Sequence, residues 1–365
     1  MEIKKKNRIK IAKFILEQGT ASKNEIAAAL KISMPTVLQN VKELQDAGIV
    51  IEEGEYHSNG GRKAKALSIE GSTGYAVGMD ITANHITLVL VNMKRRLLCK
   101  ERSRLTYADE PSYYEKMGAM LENFIFRSQV DREKILGVGI SLPGIVNKEE
   151  KVLIRSHALG VGNISFHNFH NLIPYPYEIE NDANCAAYAE LTGKKENAVY
   201  LSLSNTVGGA IYLNNHFYLG EHFRSGEFGH MVIERGGRQC YCGKRGCVDA
   251  YCSARLLQGM TGDNLELFFQ RVNEKDEKCL GVWEEYLDYL AVTVTNLRMN
   301  FDCDIVLGGY VGGYLKNYRT DLERKVAEYN KFDLDAAYIR TGKYRLEASA
   351  IGATMQFIDH FFDLL

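Results

Sequence analysis

The chain has 365 residues, 45% of them hydrophobic and 25% charged, with a formal net charge of −1 and eight cysteines. That is globular composition with core material for two or three domains, and it excludes a protein coated in basic residues. No stretch approaches the roughly twenty apolar residues of a membrane span. The opening MEIKKKNRIKIAKFILEQG interrupts its apolar residues with lysines and has no small-residue cleavage site. It predicts neither a signal peptide nor a membrane partner. The expected location is cytoplasmic, where cysteines are thiols or metal ligands.

The neutral average hides a local asymmetry. Residues 1–13 hold Lys4, Lys5, Lys6, Arg8, Lys10 and Lys13 against Glu2 alone. Ile9, Ile11, Ala12, Ile15 and Leu16 recur at helical spacing, and Gly19 ends that helix. Ser22 with Glu25 forms a capping box for a second helix over 23–30. Ser33 is placed to cap a third, with Pro35 in its first turn, Val37, Val41 and Leu44 turned inward, and Gly48 at its end.

Two helices joined by a short turn lay the later one in a DNA major groove. On this reading Thr36, Gln39 and Asn40 point outward to base edges or phosphates, with Lys42 nearer the backbone. IVIEEGEYHSNGGRKAKALSI then reads as two strands around a glycine-rich turn, a wing whose tip offers Arg62 and Lys63 to the minor groove. Residues 1–70 are thus expected to form a winged helix-turn-helix domain for a double-stranded DNA operator. The two-fold symmetry of operators implies a homodimer or a dimer of dimers. The alternative is a three-helix protein-interaction module with a solvated basic loop.

Beyond Gly71 the texture becomes β-rich. YAVGMDI, HITLVLVNM and RLLCKERSRL predict three consecutive strands, followed by a helix over about 111–128 and the strand ILGVGISLPGIV. PYEIENDANCAAYAEL reads as a strand running into a helix, and NAVYLSLSNTVGGAIYLNNHFYLG as a hairpin. NLELFFQRVNEKDEK and WEEYLDYLAVTVTNLRMNF predict helices, DIVLGG a strand and ASAIGATMQFIDHFFDLL a last helix. No repeat of 20–50 residues occurs. Two α/β lobes, each a mixed sheet with helices, fit this order: residues 71–182 plus about 345–365 in the first, and 183–344 in the second.

Five blocks in series carry a family resemblance: GISLPGIV, END at 180–182 followed by ANCAAYAE, EFGH at 227–230, CYCGKRGC at 240–247, and LGG at 307–309. Over nearly its whole length the chain resembles the ROK family (repressors, open reading frames and kinases), in its repressor branch with a winged helix in front. The resemblance implies a two-lobed actin-like, sugar-kinase-like (ribonuclease H-like) domain. It also implies that Asn181, Asp182, Glu227, His230 and Asp249 hold a monosaccharide or sugar-phosphate effector. Asp249 departs from the family, which usually has Glu there, and the shorter side chain alters which hydroxyl it reaches.

Cys240, Cys242 and Cys247 supply three of the four soft ligands that tetrahedral zinc requires, and Gly243 and Gly246 allow sharp folding between them. His230, ten residues upstream, is the nearest fourth ligand and matches the family's zinc histidine. Four filled positions make the Zn2+ structural, whereas a zinc-dependent hydrolase would need one open. Glu227 and Asp249 flank the cluster, so fixing the metal fixes both carboxylates.

In a family kinase the counterpart of Asp182 is the general base toward the sugar hydroxyl. The glycine-rich phosphate loops of such kinases are altered here. Asp80-Ile81-Thr82-Ala83-Asn84-His85 stands in place of the first, and Ser204-Asn205-Thr206-Val207 has lost the leading glycines of the second. The expectation is a sugar-responsive DNA-binding repressor of carbohydrate-metabolism genes rather than an enzyme, with Asp182 a vestigial base. The rival is an active ROK-type sugar kinase with an added DNA-binding module.

Overall fold

The computed structural model describes residues 2–55, 65–167, 169–193 and 196–365. At the N-terminus, α1 (Glu2–Gln18), α2 (Lys23–Leu30) and α3 (Met34–Asp46) pack around Ile11, Ile15, Ile26, Val37, Val41 and Leu44. The capping box forms in full, with Glu25 N donating to Ser22 Oγ (3.2 Å) and Ser22 N to Glu25 Oε2 (2.7 Å). The expected cap of α3 does not, because Ser33 Oγ pairs with Thr36 Oγ1 at 2.8 Å instead of reaching a backbone N–H. Strands β1 (Val50–Glu55) and β2 (Lys65–Ile69) pair antiparallel as a wing. Its tip, with Arg62 and Lys63, lies outside the described residues.

The first lobe contains β3 (Tyr75–Ile81), β4 (His85–Asn92), β5 (Leu97–Arg104), α4 (Pro111–Ser128) and β6 (Ile135–Leu142). A small antiparallel sheet follows, made of β7 (Ile145–Asn147), β8 (Val152–Ser156) and β9 (Val161–Ser165), and then β10 (Tyr177–Asn181) runs directly into α5 (Asp182–Leu191). The second lobe holds β11 (Ala198–Leu203), β12 (Val207–Leu213), β13 (His216–Phe217), α6 (Asp249–Cys252), α7 (Ala254–Gln258), α8 (Leu265–Asn273) and α9 (Glu277–Phe301). It continues through β14 (Asp304–Gly308), α10 (Gly309–Leu315), α11 (Arg319–Tyr329) and β15 (Ile339–Thr341), and α12 (Ala348–Asp363) closes the chain.

The two main sheets share one plan. The first runs β10-β6-β3-β4-β5 and the second β13-β12-β11-β14-β15. In each, three strands form an antiparallel meander and two more add in parallel beside the first strand of that meander. The predicted helix over NLELFFQRVNEKDEK is corrected. It ends at Asn273, Lys275 turns to φ 62°, and Asp276 Oδ1 accepts from Cys279 N (2.9 Å) to open α9 ahead of Trp283.

Helix α12 lies against the first sheet on one side and α5 on the other, at contact distances only glycine permits. A Cβ on Gly139 of β6 would overlap the Ala353 carbonyl oxygen, and one on Gly352 of α12 would overlap that of Cys185 in α5. The far end of α12 adds Met355, Ile358 and Phe362 to the core that holds Ile11 and Ile15 of α1, and Lys13 Nζ meets Asp363 Oδ1 at 2.6 Å. Among the described residues no helix is long and apolar enough to cross a membrane.

A Gly352→Ala substitution forces α12 and α5 apart, and overpacking of this kind costs about 1–3 kcal/mol. Urea unfolding should show that loss, and an unchanged midpoint would contradict the close approach.

Candidate functional site

The outward face of α3 is narrower than its sequence suggests. Thr36 is half-buried, and Gln39 and Lys42 are exposed, Gln39 Nε2 approaching Glu43 Oε1 at 3.5 Å. Asn40 does not point outward: it is 1% exposed, and its Nδ2 donates to Thr36 O at 2.8 Å. Positions 37, 40, 41 and 44 fall on one helical stripe, so Asn40 shares the inward face with three aliphatic residues. Leu38, which the sequence reading passed over, is 46% exposed beside Gln39. Part of the basic N-terminus is committed internally, since Lys4 and Arg8 both pair with Glu43, at 2.6 and 3.6 Å.

His230, Cys240, Cys242 and Cys247 come together with their ligand atoms all within 4.8 Å of one another. Cys242 Sγ and Cys247 Sγ are 3.9 Å apart, and Cys240 Sγ is 3.8 Å from His230 Nδ1. Zn–S bonds of about 2.3 Å and Zn–N bonds of about 2.0–2.1 Å at tetrahedral angles set such separations near ~3.8 and ~3.6 Å, so the donor set fits zinc. The loop is shaped by Cys240 N donating to Lys244 O (2.8 Å) and Gly246 N to Arg238 O (2.8 Å). Gly246 adopts φ 82°, and a Cβ there would overlap Glu234 O. Burial, with Lys244 and His157 nearby, holds His230 below the ordinary histidine range, which keeps the ring in its neutral, ligating form.

With Nδ1 facing the thiols, His230 Nε2 faces away, 3.3 Å from Tyr241 Oη and 3.9 Å from Glu227 Oε2. Glu227 and Asn181 line one small pocket together with Lys148, Asn184 and Phe223. Asn181 also caps α5, its Oδ1 accepting from Asn184 N (3.0 Å) while its Nδ2 donates to Gly144 O (2.8 Å). That leaves one amide hydrogen for another partner. Glu227 is raised above the usual carboxylate range by burial.

Asp182 lines an adjoining cavity of about 150 Å³, together with Asp80, Ser204 and Tyr310. Burial, with Asp80 and Glu227 close by, pushes Asp182 up to about 7. Asp80 is buried against β6, where Ser141 Oγ donates to its Oδ1 (2.8 Å), and burial raises it to about 6. Asp249 stands apart from both pockets. It is 3% exposed, its Oδ2 accepts from Val207 N (2.7 Å), and its Oδ1 lies 3.7 Å from Arg255. Of the five residues expected around a sugar, Asn181, Asp182, Glu227 and His230 are therefore drawn together, and Asp249 ties the β11–β12 turn to the segment after the cysteines.

Of the two turns that stand in place of the phosphate loops, the one between β3 and β4 is closed on itself and the one between β11 and β12 is tied to α7. Between β3 and β4, Thr82 N donates to His85 O (2.9 Å) and His85 N to Thr82 Oγ1 (3.1 Å). Between β11 and β12, the carbonyls of Ser204 and Asn205 accept from Ala254 N and Arg255 Nε, each at 2.8 Å.

Comparison with known proteins agrees with this architecture. Residues 4–51 match a winged helix-turn-helix DNA-binding family, and residues 76–360 match the ROK family. The chain is 26% identical to the xylose repressor of Bacillus subtilis (strain 168), covering 100% of this chain and 97% of that one. It is 30% identical to the N-acetylmannosamine kinase of Escherichia fergusonii over 60% of this chain and 78% of the kinase. Among solved structures, a ROK family transcriptional regulator, a homolog of the E. coli MLC protein, superposes with a TM-score of 0.76 at 19% identity, covering 100% of this chain and 98% of that one. A ROK family glucokinase from Streptomyces griseus, in complex with glucose and AMPPNP, gives 0.64 at 18% identity over 78% of this chain and 99% of that one. The family match spans the two lobes with their shared sheet plan and the thiol-rich cluster, behind a winged helix-turn-helix, and the chain belongs to the ROK family.

Proposed function

We propose that this chain is a sugar-responsive DNA-binding transcriptional repressor of carbohydrate-metabolism genes, whose kinase-like domain serves as the sensor. One observation carries the reading. Helix α5 begins at Asp182 in the candidate sugar site, α12 packs along α5, and the far end of α12 shares a core with α1 of the DNA-reading unit. A sugar that changes how α5 sits therefore acts on α12, and through it on the reader helices. By linkage, sugar and operator then weaken each other's binding.

In this reading Asp182, Glu227 and His230 Nε2 hold the hydroxyls of a monosaccharide or sugar phosphate, and Asn181 contributes its remaining N–H. Asp249 acts as a positioning residue through Val207. A structural Zn2+ held by His230, Cys240, Cys242 and Cys247 fixes the imidazole and keeps Glu227 at a set distance from it. Thr36, Gln39, Lys42 and the wing residues Arg62 and Lys63 meet the operator, with Leu38 available to a thymine methyl group. Two copies bind the two half-sites as a dimer.

Support for a sensor rather than a kinase comes from the closed β3–β4 turn and from the β11–β12 turn, where the backbone N–H of Val207 is already taken by Asp249. The deciding experiment is an operator-binding titration across a panel of monosaccharides and their phosphates, run beside an ATP-turnover assay with the same sugars. One sugar should release operator without turnover. An operator affinity indifferent to the whole panel would refute the sensor, and sugar-dependent ADP formation would favour the kinase.

Two variants test the parts. Cys242→Ser should lose bound zinc by elemental analysis and, with it, at least tenfold in sugar affinity by calorimetry, the scale expected when a supporting contact of a site is lost. Zinc loss with sugar affinity intact would break the link between cluster and pocket. Lys42→Ala should weaken operator binding evenly across sequences and reduce the salt slope by about 1, whereas Gln39→Ala should relax sequence preference. Equal effects of the two variants on specific and non-specific DNA would contradict that division.

A further inference from the structure

A recess of about 260 Å³ opens directly off the pocket of Asn181 and Glu227. It shares Lys148, Glu180, Asn184 and Leu219 with that pocket, so the two form one groove. None of its lining residues lines the Asp182 cavity; its walls are α5 on one side and the β12–β13 hairpin on the other.

The hairpin wall is preformed. Asn214 and Asn215 adopt φ 55° and 65°, as a tight two-residue primed turn requires, and Asn214 N donates to Asn197 Oδ1 (2.8 Å). That turn sets Phe217 opposite Tyr212 with ring centroids 5.0 Å apart. Phe217 also stacks on Tyr188 of α5, again at 5.0 Å and with 19° between the planes. Three rings from two elements thus fix one aromatic wall at the outer end of the groove.

Apolar and polar groups are segregated along its length. Phe223, Leu219 and Phe217 follow one another on the second-lobe side, whereas Lys148, Glu180 and Asn184 line the first-lobe side. Glu180 Oε1 accepts from Asn181 N (2.9 Å) and Asn184 Nδ2 (3.1 Å), and Glu180 Oε2 lies 3.9 Å from Lys148 Nζ. These two charges compensate each other, and no other Lys, Arg, Asp or Glu lines the recess among the described residues. In the inner pocket Ser225 Oγ is buried without a partner. A strip of carbon facing a strip of compensated polar groups matches sugar rings, whose C–H faces pack on aromatic planes while their hydroxyls bond at the rim.

We propose that the effector is a saccharide of at least two rings, the first in the pocket of Asn181, Asp182 and Glu227 and the second in this recess against Phe217. The site rests on the sugar-sensing reading and narrows the ligand by size and charge, to an uncharged glycoside instead of a sugar phosphate. A monosaccharide occupies the inner pocket alone and leaves the aromatic wall unused. The recess also ends near the winged helix-turn-helix. Thr192 lines it, and a Cβ on the next residue, Gly193, would lie 3.6 Å from both Glu17 Cγ of α1 and Arg95 Nη1. Arg95 in turn pairs with Asp359 of α12 (2.5 Å). A second ring beside Tyr188 and Thr192 therefore acts where α1, α5 and α12 meet.

Calorimetry on the full chain tests this with glucose, xylose and mannose, each beside its β-1,4-linked disaccharide, and with maltose. At least one disaccharide should bind roughly tenfold or more tighter than its own monosaccharide, and Phe217→Ala should bring that ratio to about 1. Phe217→Leu keeps an apolar contact for Tyr188 but no flat face, and it should lower the ratio with a wild-type urea midpoint, which separates lost recognition from lost folding. The same disaccharide should release operator at a correspondingly lower concentration than its monosaccharide. Disaccharides that bind no tighter than their monosaccharides, or a ratio unchanged in both variants, overturn the second ring while the sugar sensor stands. No heat with any sugar, single or double, overturns the sensor and this site together.

Discussion

The contact on which the rest of the structure depends is the approach of α12 to its two neighbours without intervening side chains. Gly139 on the sheet and Gly352 on the helix remove the Cβ atoms that would hold these elements apart, and α12 sinks between β6 and α5 as a result. A helix seated that deeply is shared property. Its middle belongs to the first lobe, its flank to the helix that carries Asp182, and its end to the core of the DNA-reading unit. Interiors packed at crystalline density transmit displacement because they cannot absorb it. Helices α1–α3 and the pocket at Asp182 are thereby parts of one mechanical system, although they are far apart in sequence.

Electrostatics divide the interlobe region into two chemically different halves. Around Asp182, acidic groups crowd one another in a site withdrawn from water, and each is held toward its neutral form. Such groups suit neutral polyols, donating or accepting as hydroxyls require. Next to them a cleft lined by Arg102, Arg104, Arg255 and Arg345 carries excess positive charge. The cysteine cluster sits at the acidic side, where His230 offers one nitrogen to the thiols and the other to the Glu227 neighbourhood. A ring held at one nitrogen has a fixed bearing at the other, so the packing of the cluster sets where His230 Nε2 points.

The shared plan of the two sheets explains why helices outnumber strands late in the chain while the architecture stays balanced. Each half has a three-stranded meander followed by two parallel strands; α4 leads into β6 in the first lobe, whereas in the second α6–α9 lead into β14 and α10 and α11 into β15. No short repeat announces this, because the unit is a whole lobe and its two copies differ in every connection. What the two halves keep in common is strand order and direction, which sequence encodes only through alternation and turn residues.

Much of this was legible from the chain alone, where the signal is local. The capping box at Ser22 and Glu25, the strand over 75–81, the helix over 111–128 and the spacing of Cys240, Cys242 and Cys247 each depend on residues within a few positions, and each is found where periodicity and ligand chemistry put it. Asn40 was legible too, since its spacing from Val37 and Leu44 sets it on the inward stripe and only its polarity argued otherwise. Tertiary structure alone decided what each polar group does once the core is formed. Asp249 turned to Val207 N rather than to the pocket, Lys4 and Arg8 were drawn to Glu43, and arginines from three distant segments met in one cleft. Hydrogen bonds and charge pairs form between whatever groups the packed backbone brings within about 3–4 Å, and that proximity is a property of the fold rather than of any window of sequence.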